Sequence, residues 1–193
     1  SGPEALAGVL AQLEGYEAPA AAWESELLPA RLADYASPWL DELSSAGRQV
    51  WARLRPAAEG GRGAGKTSLR AAPIVLLPRR HAPLWTQHAP DPVESPPSAR
   101  GQRVLDWLAA HGASFFDEIA DGARLLPAEL EDVLAELVAR GRVHCDSTAG
   151  LRALMLPAAR QAAQARRRRG VPLFGVQDAG RWTLVRRAAA EPT

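Results

Sequence analysis

Several features that would place a protein in a class at once are scarce or missing here. One cysteine, Cys145, excludes an internal disulfide and a zinc site built on several thiolates, and it fits a reducing compartment. Apolar runs such as Ile74-Val75-Leu76-Leu77 fall far short of the ~20 residues that span a bilayer, and no secretory signal is visible. The four histidines, His81, His88, His111 and His144, are scattered, and no Ser/His/Asp or paired-carboxylate set stands out. His144 and Cys145 are neighbours on a candidate strand, so they point to opposite faces and read as structural residues. Lys66 is the single lysine; every other basic residue is arginine, which need not mean selection for phosphate binding.

The composition that remains is ordinary for a globular chain of 193 residues, with 47% hydrophobic and 23% charged residues. The net charge of +1 conceals strong segregation. Residues 1–47 carry net −7, residues 48–81 net +7, 82–97 net −2, 98–141 net −4 and 142–193 net +7. Alternating blocks of this size bear on binding more than their sum does. An acidic helix of one copy against a basic wing of another is one self-association geometry they permit.

Periodicity organises the chain into two similar halves. Leu6, Val9, Leu10 and Leu13 mark a helix between Pro3 and Gly15; a second runs from about Ala20 to Leu32; Ser37-Pro38 opens a third that stops at Gly47. The period then changes to two in residues 49–55, with Val50, Ala52 and Leu54 on one face and Trp51, Arg53 and Arg55 on the other. A second strand is expected at 72–77. After a proline-rich stretch the pattern restarts, with helices carrying Val104, Leu105 and Leu108, then Phe115, Phe116 and Ile119 behind a Ser114 cap, then Leu130, Val133, Leu134, Leu137 and Val138 between Pro127 and Gly141. Strands are expected at about 142–146 and 151–156. LLPARL at 27–32 matches LLPAEL at 125–130, and LDEL at 40–43 before Gly47-Arg48 matches LAEL at 134–137 before Gly141-Arg142, a repeat near 95 residues.

The expected fold class is mainly α with small β-hairpins (α+β), as tandem winged-helix modules. The expected domains are winged helix 1 over 1–81, a proline-rich connection over 82–97, winged helix 2 over 98–156, and an arginine-rich tail over 157–193. That tail ends in a strand at 181–185 whose partner is expected outside the chain.

Gly60 to Thr67, GGRGAGKT, fits the phosphate-loop pattern G-x-x-x-x-G-K-[ST]. Its context argues against ATP. The strand before it alternates, only five residues separate Thr67 from Pro73, and no apolar strand ends in an aspartate to hold magnesium. The loop therefore reads as a wing tip. Arg53, Arg55, Arg62, Lys66 and Arg70 cluster around it, and Arg166, Arg167, Arg168 and Arg169 form a second basic run; with Arg152 these are the candidate contacts to nucleic-acid backbone. The third helices present Glu129, Glu131, Asp132 and Glu136 in one module and Asp41 and Glu42 in the other, so base readout by these helices is not expected.

The motifs WESELLPARL (23–32), LDEL (40–43), FFDEI (115–119) before LLPA (125–128), DSTAGLRAL (146–154) and Gly180-Arg181-Trp182 resemble the C-terminal extension of bacterial large helicase-related (Lhr) proteins of helicase superfamily 2. The resemblance covers nearly the whole chain. It implies a much longer parent whose motor domains hold ATP and magnesium and drive 3′-to-5′ translocation on single-stranded DNA in repair. No motor motif is present, so no catalytic, cofactor or metal residue carries over. The expected role is non-catalytic: contact with DNA backbone, self-assembly and attachment to the rest of the helicase, in the cytoplasm at the nucleoid. The alternatives are part of a winged-helix DNA glycosylase, or a protein-interaction scaffold. The resemblance implies a β-barrel and a further winged helix beyond Thr193. Gln87-His88-Ala89 does not match the glutamine-rich motif of such glycosylases.

Overall fold

The two halves build one series of elements from the same local signals. In the computed structural model, which describes residues 1–55, 66–87, 96–156 and 180–185 (the side chains of 66–68 excepted), the first half runs α1 (Pro3–Gln12), β1 (Ala18–Pro19), α2 (Ala20–Ala22) continuing as a π-turn over Trp23–Leu27, α3 (Ser37–Ser45), β2 (Gln49–Ala52), α4 (Lys66–Ala71) and β3 (Pro73–Pro78). A connecting helix α5 (Ala82–Gln87) follows. The second half runs α6 (Ala99–His111), β4 (Ser114–Phe115), α7 (Phe116–Ala123), α8 (Pro127–Ala139), β5 (Val143–Cys145), α9 (Thr148–Met155) and β6 (Arg181–Leu184). Each half closes an antiparallel three-stranded sheet with the third strand central, β1-β3-β2 and β4-β6-β5. These are tandem winged helices in an α+β fold.

The repeat in the letters is a repeat in geometry. Both third helices end in the same cap: Gly47 (φ +68°) and Gly141 (φ +67°) take the left-handed conformation. Arg48 N–H then reaches back to Leu43 O, and Arg142 N–H to Leu137 O. This turn aims the chain into β2 and β5. Helix α7 starts at Phe116, with the Glu118 carboxylate accepting Phe115 N–H at 2.7 Å, and α8 starts at Pro127, with Glu129 accepting Leu126 N–H at 2.9 Å.

Several expectations need correction. Residues 151–156 are not a strand: Ser147 opens α9, its hydroxyl accepting Gly150 N–H at 3.4 Å. The partner of 181–185 is within the chain. Strand β6 pairs with β4 and β5, Trp182 standing opposite Ser114 and Cys145, so it belongs to the second sheet and not to a tail. The connection is helical over Ala82–Gln87, where the Trp85 indole donates to Glu14 at 2.9 Å and lies over Gly15. Neither Ser37 nor Ser114 caps as expected. Ser37 is the first helical residue of α3, and the Ser114 hydroxyl donates back to Gly112 O at 3.0 Å.

One hydrophobic core runs through both modules, from Leu6 to Trp182. A small second cluster, Leu54, Val75 and Leu77 with Val50 and Ala52, sits on the other face of β2 and β3 beneath Ala82. Because both faces of β3 are covered, Ile74-Val75-Leu76-Leu77 reads as a continuous apolar run and does not alternate. Trp51 faces the main core and is 2% exposed.

The modules join through their inserted helices in a reciprocal way. Helix α4 of the first packs on α8 of the second, α9 of the second packs on α3 of the first, and α4 meets α9 between them. A polar lock sits beside this contact. Arg152 on α9 forms one fork with Glu24 (Nε to Oε2 2.7 Å, NH2 to Oε1 2.9 Å) and another with Asp41 (both 3.2 Å). Thr148 donates to Asp41 at 3.0 Å, Tyr35 donates to Glu24 at 2.6 Å, and the Trp51 indole donates to Ser147 O at 3.2 Å. Burial alone would raise the Glu24 carboxyl, but the Arg152 hydrogen bonds and charge, with Tyr35, outweigh it and hold the group below its ordinary 4.5.

The lock is only partly exposed, with 29% of the Arg152 side chain accessible. Arg152→Ala is expected to cost about 2–3 kcal/mol, between an exposed and a fully buried pair, as a drop in the urea midpoint. Arg152→Lys recovers only part of it, since an ammonium cannot fork onto two carboxylates. A loss below about 0.5 kcal/mol would reduce the lock to an ordinary surface pair.

The acid dependence has a definite sign. Because the folded value of Glu24 lies below the unfolded one, its contribution is complete above about pH 4.5 and is lost as pH falls through the folded value. The stability difference between the wild type and Glu24→Gln should therefore shrink as pH is lowered from about 7 to about 3. A difference that stays constant across that range would remove Glu24 from the lock.

Candidate nucleic-acid interface

In a winged helix the third helix is the element that enters a major groove. Here the neighbouring module packs on both third helices but covers only α8: in α3 just Leu40, Leu43 and Ser44 are buried, and Pro38, Glu42 and Ser45 are exposed. Helix α8 buries Leu130, Val133, Leu134, Ala135, Leu137, Val138 and Ala139, leaving only a narrow accessible strip. Its acids are engaged locally: Glu129 pairs with Arg100 at 2.8 Å, and Glu136 with Arg140 at 3.2 Å and with the Ser98 hydroxyl at 2.7 Å. Helix α3 gives Asp41 to the lock. Geometry thus adds, for α8, a steric reason to the electrostatic one against base reading.

The candidate cations fall in distinct settings. Arg152 is committed to Glu24 and Asp41, a junction between modules. Arg55 is exposed and pairs with Glu17 at 3.1 Å. Arg70 is exposed at the end of α4. Arg53 shares the face of Trp51 but not of solvent: it is 9% exposed, and its Nε and NH1 have no hydrogen-bond partner. Desolvation by burial pulls its guanidinium pKa down, and the charge of nearby Glu17 opposes this. Arg62, Arg166, Arg167, Arg168 and Arg169 lie outside the described residues, as does the Lys66 side chain.

The sequence reading missed Arg79 and Arg181 as candidates. Arg79 is exposed on the turn after β3, and Arg181 starts β6 with its N–H on the Asp146 carboxylate at 2.9 Å. Both stood in plain sight, one in the +7 block and one in the Gly180-Arg181-Trp182 motif. What was lacking was the pairing of β6 with β5, which brings Arg181 to the module junction.

Other suspected chemistry is placed as well. Cys145 is fully buried, and burial pushes its thiol up to about 12, so it is no nucleophile. His144 shares the strand; burial holds its pKa below the ordinary value and keeps the imidazole neutral. Among the described residues no cluster of three His, Cys, Asp or Glu is arranged to hold a metal, and no helix is long and apolar enough to cross a membrane. Of the phosphate-loop letters only the backbone of Lys66 and Thr67 lies among the described residues. Gly60 to Gly65 lie outside the described residues, and a helix does begin at Lys66, but it ends after six residues and leads directly into β3. No described strand before or after it ends in an acid placed for magnesium.

The motifs behind the resemblance converge on the junction. WESELLPARL supplies Glu24, LDEL supplies Asp41, and DSTAGLRAL supplies Thr148 and Arg152. Gly180 leaves no room for a side chain beside Asp146, which anchors Arg181. The family described as "Large helicase-related protein, winged-helix domain" matches residues 1–79. The chain is 34% identical over 208 aligned residues to "Lhr helicase/ probable uracil glycosylase" of Mycolicibacterium smegmatis, covering 100% of the chain and 13% of that protein. It is 31% identical over 205 residues to "Lhr helicase/uracil glycosylase" of Escherichia coli, covering 95% of the chain and 13% of that protein. Fold, motifs and relatives thus agree along the length of the chain, and the protein belongs to the large helicase-related family as a winged-helix region of it.

Proposed function

We propose that this region is a non-catalytic, rigid tandem that gives an ATP-driven DNA helicase contacts to the backbone of single-stranded DNA. The observation that supports it best is the burial of α8 at the junction, beside an α3 whose exposed acid, Glu42, repels phosphate. With base reading by these helices disfavoured, the basic residues are left to meet DNA, and a cation on phosphate carries affinity without sequence. Arg62, Lys66 and Arg70 of the first wing and Arg166 to Arg169 are the proposed contacts. Arg152 drops out of that set in this reading, because its charge is neutralised inside the chain. ATP and magnesium would be held by other parts of the helicase, and a role in DNA repair follows the helicase. Self-association stays part of the proposal, since the intrachain pairs Arg48–Glu4, Arg55–Glu17 and Arg152–Glu24 engage only part of the basic blocks and leave Arg70 and Arg79 exposed.

A second reading rests on the relatives, whose names include a uracil glycosylase. In that case the tandem would position DNA for chemistry performed outside it; among the described residues no cluster is arranged to hold a metal, and Cys145 is a buried thiol. Base release from uracil-containing DNA by this chain alone would overturn the non-catalytic claim.

Binding of oligo-dT across a salt series tests the main reading. The logarithm of affinity should fall linearly with that of salt, and Arg62→Ala with Lys66→Ala should flatten the slope by roughly 1.4, the increment for two phosphate contacts on a single strand. A salt-independent, weak response from the wild type would leave only the scaffold role.

A further inference from the structure

Between the two sheets lies a cavity of about 610 Å³, walled by β2 and α5 of the first module and by β5 and β6 of the second. We propose that this cleft binds one nucleotide unit of a nucleic-acid strand, its phosphate held by Arg53, Arg79 and Arg181 and its base laid on the apolar wall of Val50, Ala82 and Leu184. The proposal rests on the reading of the chain as a DNA-backbone binder and names a second contact point, separate from the wing.

Three features carry it. The first is Arg53. A guanidinium that is nine-tenths buried, lines the cavity and leaves Nε and NH1 without partners is a costly arrangement unless something anionic completes it. The fold does not demand that charge. At the matching position, counted from Gly47 and Gly141, the second module has Ser147, which caps α9.

The second is the charge around the cavity. Arg79 and Arg181 line it with Arg53, and among the described residues Asp146 is the one carboxylate on its wall. Asp146 is already used by Arg181, through its N–H at 2.9 Å and its Nε at 3.8 Å. No described carboxylate pairs with Arg79. The neutral His144 also faces the cavity, with an unpartnered Nδ1, and adds a hydrogen-bonding group without cancelling charge. Guanidinium forks over a mostly apolar floor suit a phosphate joined to a flat ring.

The third is size. The volume lies within the roughly 300–1,000 Å³ of small-molecule pockets and exceeds what an isolated inorganic anion would fill.

The test uses the whole 193-residue chain, with two ligands and two variants. Fluorescence anisotropy reads the affinity for labelled oligo-dT, and thermal shift reads dTMP, so a strand phosphate and a free nucleotide are separated. Arg79→Ala changes an exposed residue, so its fold should survive; it is expected to weaken both ligands by about tenfold or more. Arg53→Met should do the same while raising the melting temperature without ligand, because an unpaired buried charge is removed. Unchanged affinities in both variants would overturn the proposal, and so would a melting temperature that falls in Arg53→Met, since Arg53 would then be satisfied inside the fold. The two readings fail separately. If the wing variant Arg62→Ala/Lys66→Ala loses oligo-dT while the cleft variants keep it, the wing reading stands and the cleft falls. If the wild type ignores oligo-dT but responds to dTMP through Arg79, the cleft stands as a nucleotide site and the strand reading falls.

Discussion

The fold turns on one guanidinium. Arg152, on a helix inserted into the second wing, grips Glu24 and Asp41 of the first module with two forks. A pair of small modules with separate cores would rock about a linker by default. Here the lock, the Trp51–Ser147 hydrogen bond and a shared apolar core make the junction an interior. The inserted helices α4 and α9 make this possible. Each leaves its own wing and packs on the third helix of the other module, the reciprocal geometry that a two-fold interface imposes on identical subunits. The duplication resembles an isologous dimer written into one chain.

That arrangement has a consequence for recognition. A lone winged helix offers its third helix to DNA; this tandem uses both third helices to hold itself together. The acids on α8 and α3 then cease to be puzzling. Three of them, Glu129, Glu136 and Asp41, are partners for Arg100, Arg140 and Arg152. Part of the charge that alternates along the chain is matched within it, through pairs such as Arg48–Glu4 and Arg55–Glu17.

Much of this was legible in the letters. Helix limits followed from Pro3, Pro127, Gly47 and Gly141, because caps are local and their chemistry is short-ranged. The tandem was legible because LLPARL and LLPAEL fall at matching places in the two copies. What could not be read was long-range pairing. Residues 151–156 alternate well enough to pass for a strand, and only the arrival of Trp182 from far along the chain fills the central place in the sheet and leaves α9 free to be a helix. The burial of Arg53 was not legible for a related reason. A two-residue period assigns it to the face of Trp51, but it cannot say that the second module covers that face. The sequence offers Arg152 as a candidate backbone contact and hides its pairing, because its two carboxylates lie more than a hundred residues away.

The same physics separates the two kinds of arginine found here. Arg152 is desolvated and matched, so its burial stiffens the junction and leaves nothing for a ligand. Arg53 is desolvated and unmatched, so its burial opposes folding unless an anion arrives. The lock ties the two modules together, and the unmatched charge faces a cavity that residues of both modules line. A flexible tandem would let that cavity collapse or let Arg53 swing out to water. A rigid one keeps it preorganised, and preorganisation raises affinity by removing the ordering cost at the moment of binding.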